Sequence, residues 1–134
     1  MVENLSDLKD WSSVLTEVFH LPDELQGLFT DPFRIAGFGP EQKLRAYLAY
    51  FNGVPVATSS LYCDEGVGGI FCVSTLKSAR GKGLGRAVTQ AAMVDAHQLG
   101  LKFAILQSSE IAISVYKKLG FEECGMFERW VINM

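Results

Sequence analysis

Apolar residues in the first forty positions recur at helical spacing. Leu8, Trp11, Val14 or Leu15, and Val18 fall on one face of a helix. Leu21-Pro22-Asp23-Glu24 marks a second helix start, with Pro22 near the first turn. Asp31-Pro32 and Gly37-Phe38-Gly39-Pro40 then break the pattern and predict a loop. Residues 1–40 thus form a helical N-terminal part.

The pattern changes at Leu44. Residues 44–51 and 54–63 are rich in aromatic and β-branched types, which favour strands. Asn52-Gly53 between them fits a tight hairpin turn whose two central residues need positive φ. Asp64-Glu65-Gly66 turns the chain again, and residues 67–75 form a third strand. Its continuous apolar centre predicts burial on both faces. From Leu84 the helical period returns through Val88, Ala91, Ala92 and Leu99, with Gly100 as a stop. Lys102 to Leu106 is a short apolar strand. Ile111, Val115 and Leu119 mark a last helix ending at Gly120. Residues 121–133 return to strand character through Phe127, Trp130 and Ile132. The order of elements predicts an α+β fold with a mixed, mostly antiparallel sheet flanked by helices.

Composition narrows the class. A chain of 134 residues that is 49% hydrophobic and 20% charged has the makings of one domain with its own core. No apolar run reaches the roughly 18–20 residues that span a bilayer, which argues against a membrane partner. The acidic, mixed start Met-Val-Glu-Asn lacks the pattern of a targeting segment. Cys63, Cys72 and Cys124 have neither disulfide nor metal-ligand spacing. Reduced thiols, a cytoplasmic location and no metal are the expectations.

Charge is uneven. Residues 1–31 hold seven acids against Lys9, whereas residues 77–86 hold Lys77, Arg80, Lys82 and Arg86 and no acid. With a net charge of −3, that basic cluster reads as a local anion site and not as a nucleic-acid face.

The cluster contains Arg80-Gly81-Lys82-Gly83-Leu84-Gly85-Arg86, between a strand and a helix. Three alternating glycines uncover the backbone, and the first amides of a helix lack intrahelical partners. Peptide dipoles add positive charge there, which suits a phosphate or diphosphate. The segment lacks the Ser or Thr after lysine of a P-loop. It also lacks the spacing and downstream acid of a dinucleotide fold. A solvated basic loop is the plain alternative.

A second feature is Tyr116-Lys117-Lys118-Leu119-Gly120-Phe121. A phenol one turn before a helix end is protonated at neutral pH and can give a proton to a leaving thiolate. The plain alternative is a core tyrosine.

Together, Arg80-Gly81-Lys82-Gly83-Leu84-Gly85 and Tyr116-Lys117-Lys118-Leu119-Gly120-Phe121 resemble the two signature motifs of GNAT acetyltransferases. The similarity covers residues 44–133, which would be the acetyl-CoA-binding core of a single GNAT-like domain over residues 1–134. The resemblance implies that Arg80, Gly81, Lys82, Gly83, Leu84, Gly85 and Arg86 hold the diphosphate of coenzyme A. It implies that the strand ending at Val73, Ser74 and Thr75 pairs with the pantetheine arm. That strand would splay from residues 103–108, and amides near a bulge would polarise the thioester carbonyl. Tyr116 would be the general acid, and an acceptor amine would attack the thioester directly.

Three departures from the family pattern stand out. Ser109 occupies the usual place of an asparagine, where it can cap the helix or bond pantetheine. No clear strand opens the chain. One strand follows Phe121 where two are common, so its edge calls for cover by a homodimer partner or by a missing N-terminal domain. Glu110 is a candidate base or a helix-stabilising acid. The acidic N-terminal helices are candidates for lining the site of a cationic acceptor. Cys72 and Cys124 have no histidine beside them in the motifs, so covalent catalysis lacks support. The acceptor class is a small-molecule or peptide amine. Competing readings are a non-catalytic acyl-CoA sensor or subunit and a nucleotide- or nucleic-acid-binding domain using the basic turn.

Overall fold

The computed structural model describes residues 1–132. Helix α1 spans Leu5–Phe19, and the Asn4 side chain caps it by accepting from the Asp7 amide at 2.9 Å. One tight helical turn over Asp23–Leu25 leads into α2, Gln26–Ala36. Pro32 therefore lies inside α2 and does not end it. Proline removes one helical hydrogen bond, from the carbonyl of Leu28, and Leu28 is exposed enough for water to replace it. The predicted loop begins only at Gly37.

Strands β1 (Leu44–Phe51), β2 (Val54–Asp64) and β3 (Val67–Thr75) form an antiparallel meander. Asn52 and Gly53 both have positive φ, 52° and 76°, as the hairpin turn requires. Helix α3 (Leu84–Gln98) crosses over to β4 (Phe103–Leu106), which pairs parallel to β3. Helix α4 covers Ile113–Lys118, after a tight turn over Glu110–Ala112. The sheet order is β1-β2-β3-β4.

Successive strand residues point to opposite faces, and that splits the core in two. Ala46 faces Trp11, Leu15 and Phe33 on the α1–α2 side. Its neighbour Tyr47 faces Leu61, Ile70, Ala92 and Ala96 on the α3 side. Arg45 is also buried, and its charge is matched. It donates to Asp95 of α3 at 3.3 Å, to the Gln42 carbonyl at 3.0 Å, and to the Pro40 carbonyl. Tyr47 donates to the same Asp95 oxygen at 2.7 Å. Burial first, and then this bond, hold the Tyr47 phenol far above its usual range.

Several expectations need correction. β3 is buried on both faces only over Gly68–Ile70, and Phe71 is 47% exposed where β4 no longer covers it. Leu99 lies past the last turn of α3 and is exposed, and Ala96 takes the core position. Ile111 is 90% exposed because the tight turn before α4 rotates it off the helix face. Residues 121–132 form no strand, and Asn133 lies outside the described residues. Strict alternation would put Phe127 on one face and Trp130 and Ile132 on the other. Before α1, the Val2 amide donates to the Ala46 carbonyl at 2.8 Å, a single bond to β1 where the sequence predicts no strand.

Candidate functional site

The glycine turn opens α3 as expected. Gly81 and Gly83 have φ of 77° and 76°, the left-handed region that glycine enters without steric cost. A Cβ at either position would meet nothing within 4 Å, so the turn is not folded against protein. No side chain caps α3, and the first main-chain bond into it is Ala87 to the Gly83 carbonyl at 2.9 Å. The amides of Leu84, Gly85 and Arg86 therefore point out unpaired. Gly85 serves close approach, since a Cβ there would sit 3.0 Å from Thr75 Oγ1 at the end of β3.

The three cations are not equivalent. Arg80 donates to the Thr75 carbonyl at 3.2 Å. Lys82 donates to the Ser78 carbonyl at 3.3 Å and lies 4.7 Å from the Phe51 ring centroid. Arg86 is exposed on the first turn of α3. Phe51 belongs to the β1–β2 hairpin, so the hairpin tip reaches the glycine turn. Its aromatic contact was not foreseen from the sequence.

β3 carries a bulge. The register passes from Thr58 opposite Ser74 to Ser60 opposite Phe71, so Cys72 and Val73 together face Ser59. Cys72 has φ of 53°, and a bulge leaves its extra residue outside the ladder. Burial pushes the Cys72 thiol up, which keeps it protonated and a poor nucleophile. The other edge of β3 is free from Phe71 onward, because pairing with β4 ends at Ile70 opposite Leu106. The strands part there, leaving Val73 to Thr75 without a β4 partner.

Parallel β3 and β4 end at the same side of the sheet. The glycine turn after β3 and the segment 107–116 after β4 therefore leave from one edge, where open sheets commonly bind ligands. Ser109 lies in that second segment, just before the tight turn over Glu110–Ala112. Its hydroxyl caps nothing, and its carbonyl accepts from Ser108 Oγ at 2.7 Å. Glu110 is exposed. Tyr116 is 7% exposed, and its ring packs edge-on against Phe121 with centroids 6.0 Å apart. Its hydroxyl has no partner among the described residues, yet no fully buried polar side-chain atom there lacks one. The hydroxyl is therefore not fully enclosed by the described residues. Burial raises its pKa above the ordinary phenol value.

Clefts also lie elsewhere. One of about 510 Å³ runs between β1 and α3 past Tyr47 and Asp95. Another, about 260 Å³, lies between α1 and α2, and its charged lining residues are Lys9 and Arg34. The N-terminal acids do not gather there. Asp7 caps α1, Asp10 accepts from Tyr50 at 2.9 Å, and Asp31 sits 3.9 Å from Arg34. Among the described residues no cluster of three metal-ligating side chains occurs, and no helix is long and apolar enough to cross a membrane.

Gly83→Ala should cost about 1–2 kcal/mol, because the new Cβ has room but not the backbone conformation. Urea denaturation measures it, and an unchanged midpoint would mean that the turn does not hold positive φ.

A model of the acetyltransferase (GNAT) family matches residues 8–121. The mycothiol acetyltransferase of Catenulispora acidiphila is 33% identical over 128 residues, covering 86% of this chain and 40% of that protein. The chain spans less than half the length of the curated relatives it matches. An acetyltransferase from Trypanosoma brucei is 26% identical, with a TM-score of 0.76 over 98% of this chain and 97% of its own. A Clostridium acetobutylicum structure described as a predicted acetyltransferase with acetyl-CoA is 18% identical. Its TM-score is 0.77 over 96% of this chain and 92% of its own, a likeness of fold.

Proposed function

Since the chain belongs to the acetyltransferase (GNAT) family, we propose that it moves an acetyl group from acetyl-CoA to an amine. The observation that carries this reading is the open glycine turn with its uncapped helix amides, on the same sheet edge as the β3–β4 gap. In this reading residues 1–134 are one domain, with a helical part over residues 1–40 and a donor-binding core over 44–133.

The residues present fit the donor. Amides of Gly81, Gly83, Leu84, Gly85 and Arg86 would meet the diphosphate, with Arg80, Lys82 and Arg86 adding charge. The free edge of Val73, Ser74 and Thr75 offers main-chain groups to the pantetheine amides. Ser109, with its hydroxyl uncommitted, is a further contact for that arm. The thioester supplies an activated acyl carbon. The neutral amine forms the new C–N bond as the C–S bond breaks, and the amine's extra proton leaves to water. Tyr116 gives its phenolic proton to the departing sulfur and is reprotonated from solvent. The phenol is protonated at neutral pH, as that role needs.

The mycothiol acetyltransferase relative favours a small-molecule amine over a peptide. A cytoplasmic location accords with the free thiols of Cys63, Cys72 and Cys124. The exposed Phe127 and Trp130 favour cover by a second copy or by another domain.

Thermal melting with acetyl-CoA, free coenzyme A, ATP and NAD tests the donor. A ligand at hundredfold its Kd adds about 2.7 kcal/mol of stability. The expected result is a shift with both coenzyme A species and none with ATP or NAD. The reverse pattern would overturn the reading.

A further inference from the structure

A β-bulge breaks a ladder, and the main-chain groups it frees must find other partners if they are buried. Around Cys72 those partners are side chains. Thr58, with no exposed surface, donates from Oγ1 to the Cys72 carbonyl at 2.8 Å. The same oxygen lies 2.6 Å from Ser74 Oγ. One hydroxyl thus bridges both sides of the bulge, residues 72 and 74. Opposite, the Ser59 carbonyl accepts from Trp11 Nε1 at 3.0 Å, and Ser59 Oγ donates to the Val88 carbonyl of α3 at 2.7 Å. These bonds fall on the run Thr58-Ser59-Ser60, which interrupts an otherwise apolar stretch of β2.

We propose that Thr58 is a positioning residue for the donor thioester. Its hydroxyl holds Cys72 at positive φ, and that conformation fixes which way the next amide, of Val73, faces in the β3–β4 gap. Thr58 touches no substrate and acts through the bulge. The inference rests on the acetyl-transfer reading.

The test is infrared spectroscopy of acetyl-CoA labelled at the thioester carbonyl carbon, alongside calorimetric binding of acetyl-CoA and free coenzyme A. In the unaltered protein the bound carbonyl should absorb below its solution frequency. In Thr58→Val, of matching shape, the band should return toward the solution value. Acetyl-CoA should then bind about fivefold more weakly, with free coenzyme A within about twofold, the size of one lost hydrogen bond. Thr58→Ser should keep the shifted band. An unmoved band in Thr58→Val, equal weakening for both ligands, or Thr58→Ser matching Thr58→Val would overturn the proposal. Should Thr58→Val not fold, Ser74→Ala removes the second anchor, and an unmoved band there overturns it as well. If the unaltered protein does not bind acetyl-CoA, the acetyl-transfer reading fails and takes the inference with it.

Discussion

Tyr116→Phe should lower kcat by roughly 10²–10⁴ while leaving acetyl-CoA binding unchanged. The substitution removes one oxygen and little else. The ring stays edge-on to Phe121, and the lost hydroxyl has no partner among the described residues. Stability should therefore hold, and a rate loss would report the proton transfer itself. Thiol release from acetyl-CoA measures kcat, and titration of acetyl-CoA measures Kd. Burial lifts the phenol above its usual pKa, so the proton is present throughout the neutral range. The alkaline fall in rate that reports its loss should lie above about 10, the ordinary phenol value. Turnover within a few-fold of the unaltered protein would assign Tyr116 to the core alone.

The largest expected loss of stability is that of Trp11→Ala. Trp11 has no exposed surface and packs edge-on against Phe33, with centroids 5.2 Å apart. Removing a buried indole costs about 3–5 kcal/mol through lost burial and the cavity left behind. The Ser59 carbonyl, which accepts from Trp11 Nε1, would lose a buried partner for about 1–3 kcal/mol more. The two terms share one site and will not simply add. A domain has about 5–15 kcal/mol in total, so the variant should be close to unfolding at ambient temperature. Urea denaturation gives the figure, and Trp11→Phe should fall between. A loss below about 2 kcal/mol would show that α1 is not docked on the sheet through this residue.

Short-range rules made much of the fold legible. Asn52-Gly53 forecast its hairpin because few residue pairs accept two positive φ values in succession. The limits of β3, Val67 and Thr75, were readable from the flanking turn and the loss of apolar character. The glycine turn was readable because glycine spacing, basic charge and a change of period coincide within a few residues. Pro32 sits inside α2, against its usual role as a helix breaker, where the residue whose carbonyl it leaves unpaired, Leu28, is exposed. Residues 121–132 are rich in aromatic and β-branched types but lack the strict alternation of a half-buried strand, and they form none.

The sequence by itself determined the order of elements from α1 to α4 and the place of the glycine turn that opens α3. Each depends on residues close along the chain, where sterics and periodicity act directly. Only the tertiary structure decided the bulge at Cys72 and Val73, the parting of β3 from β4 after Ile70, and the clamp of Thr58 across the bulge. Those features arise from pairing between distant strands. Which amides are left over in such pairing depends on where every strand begins and ends, and no local pattern encodes that.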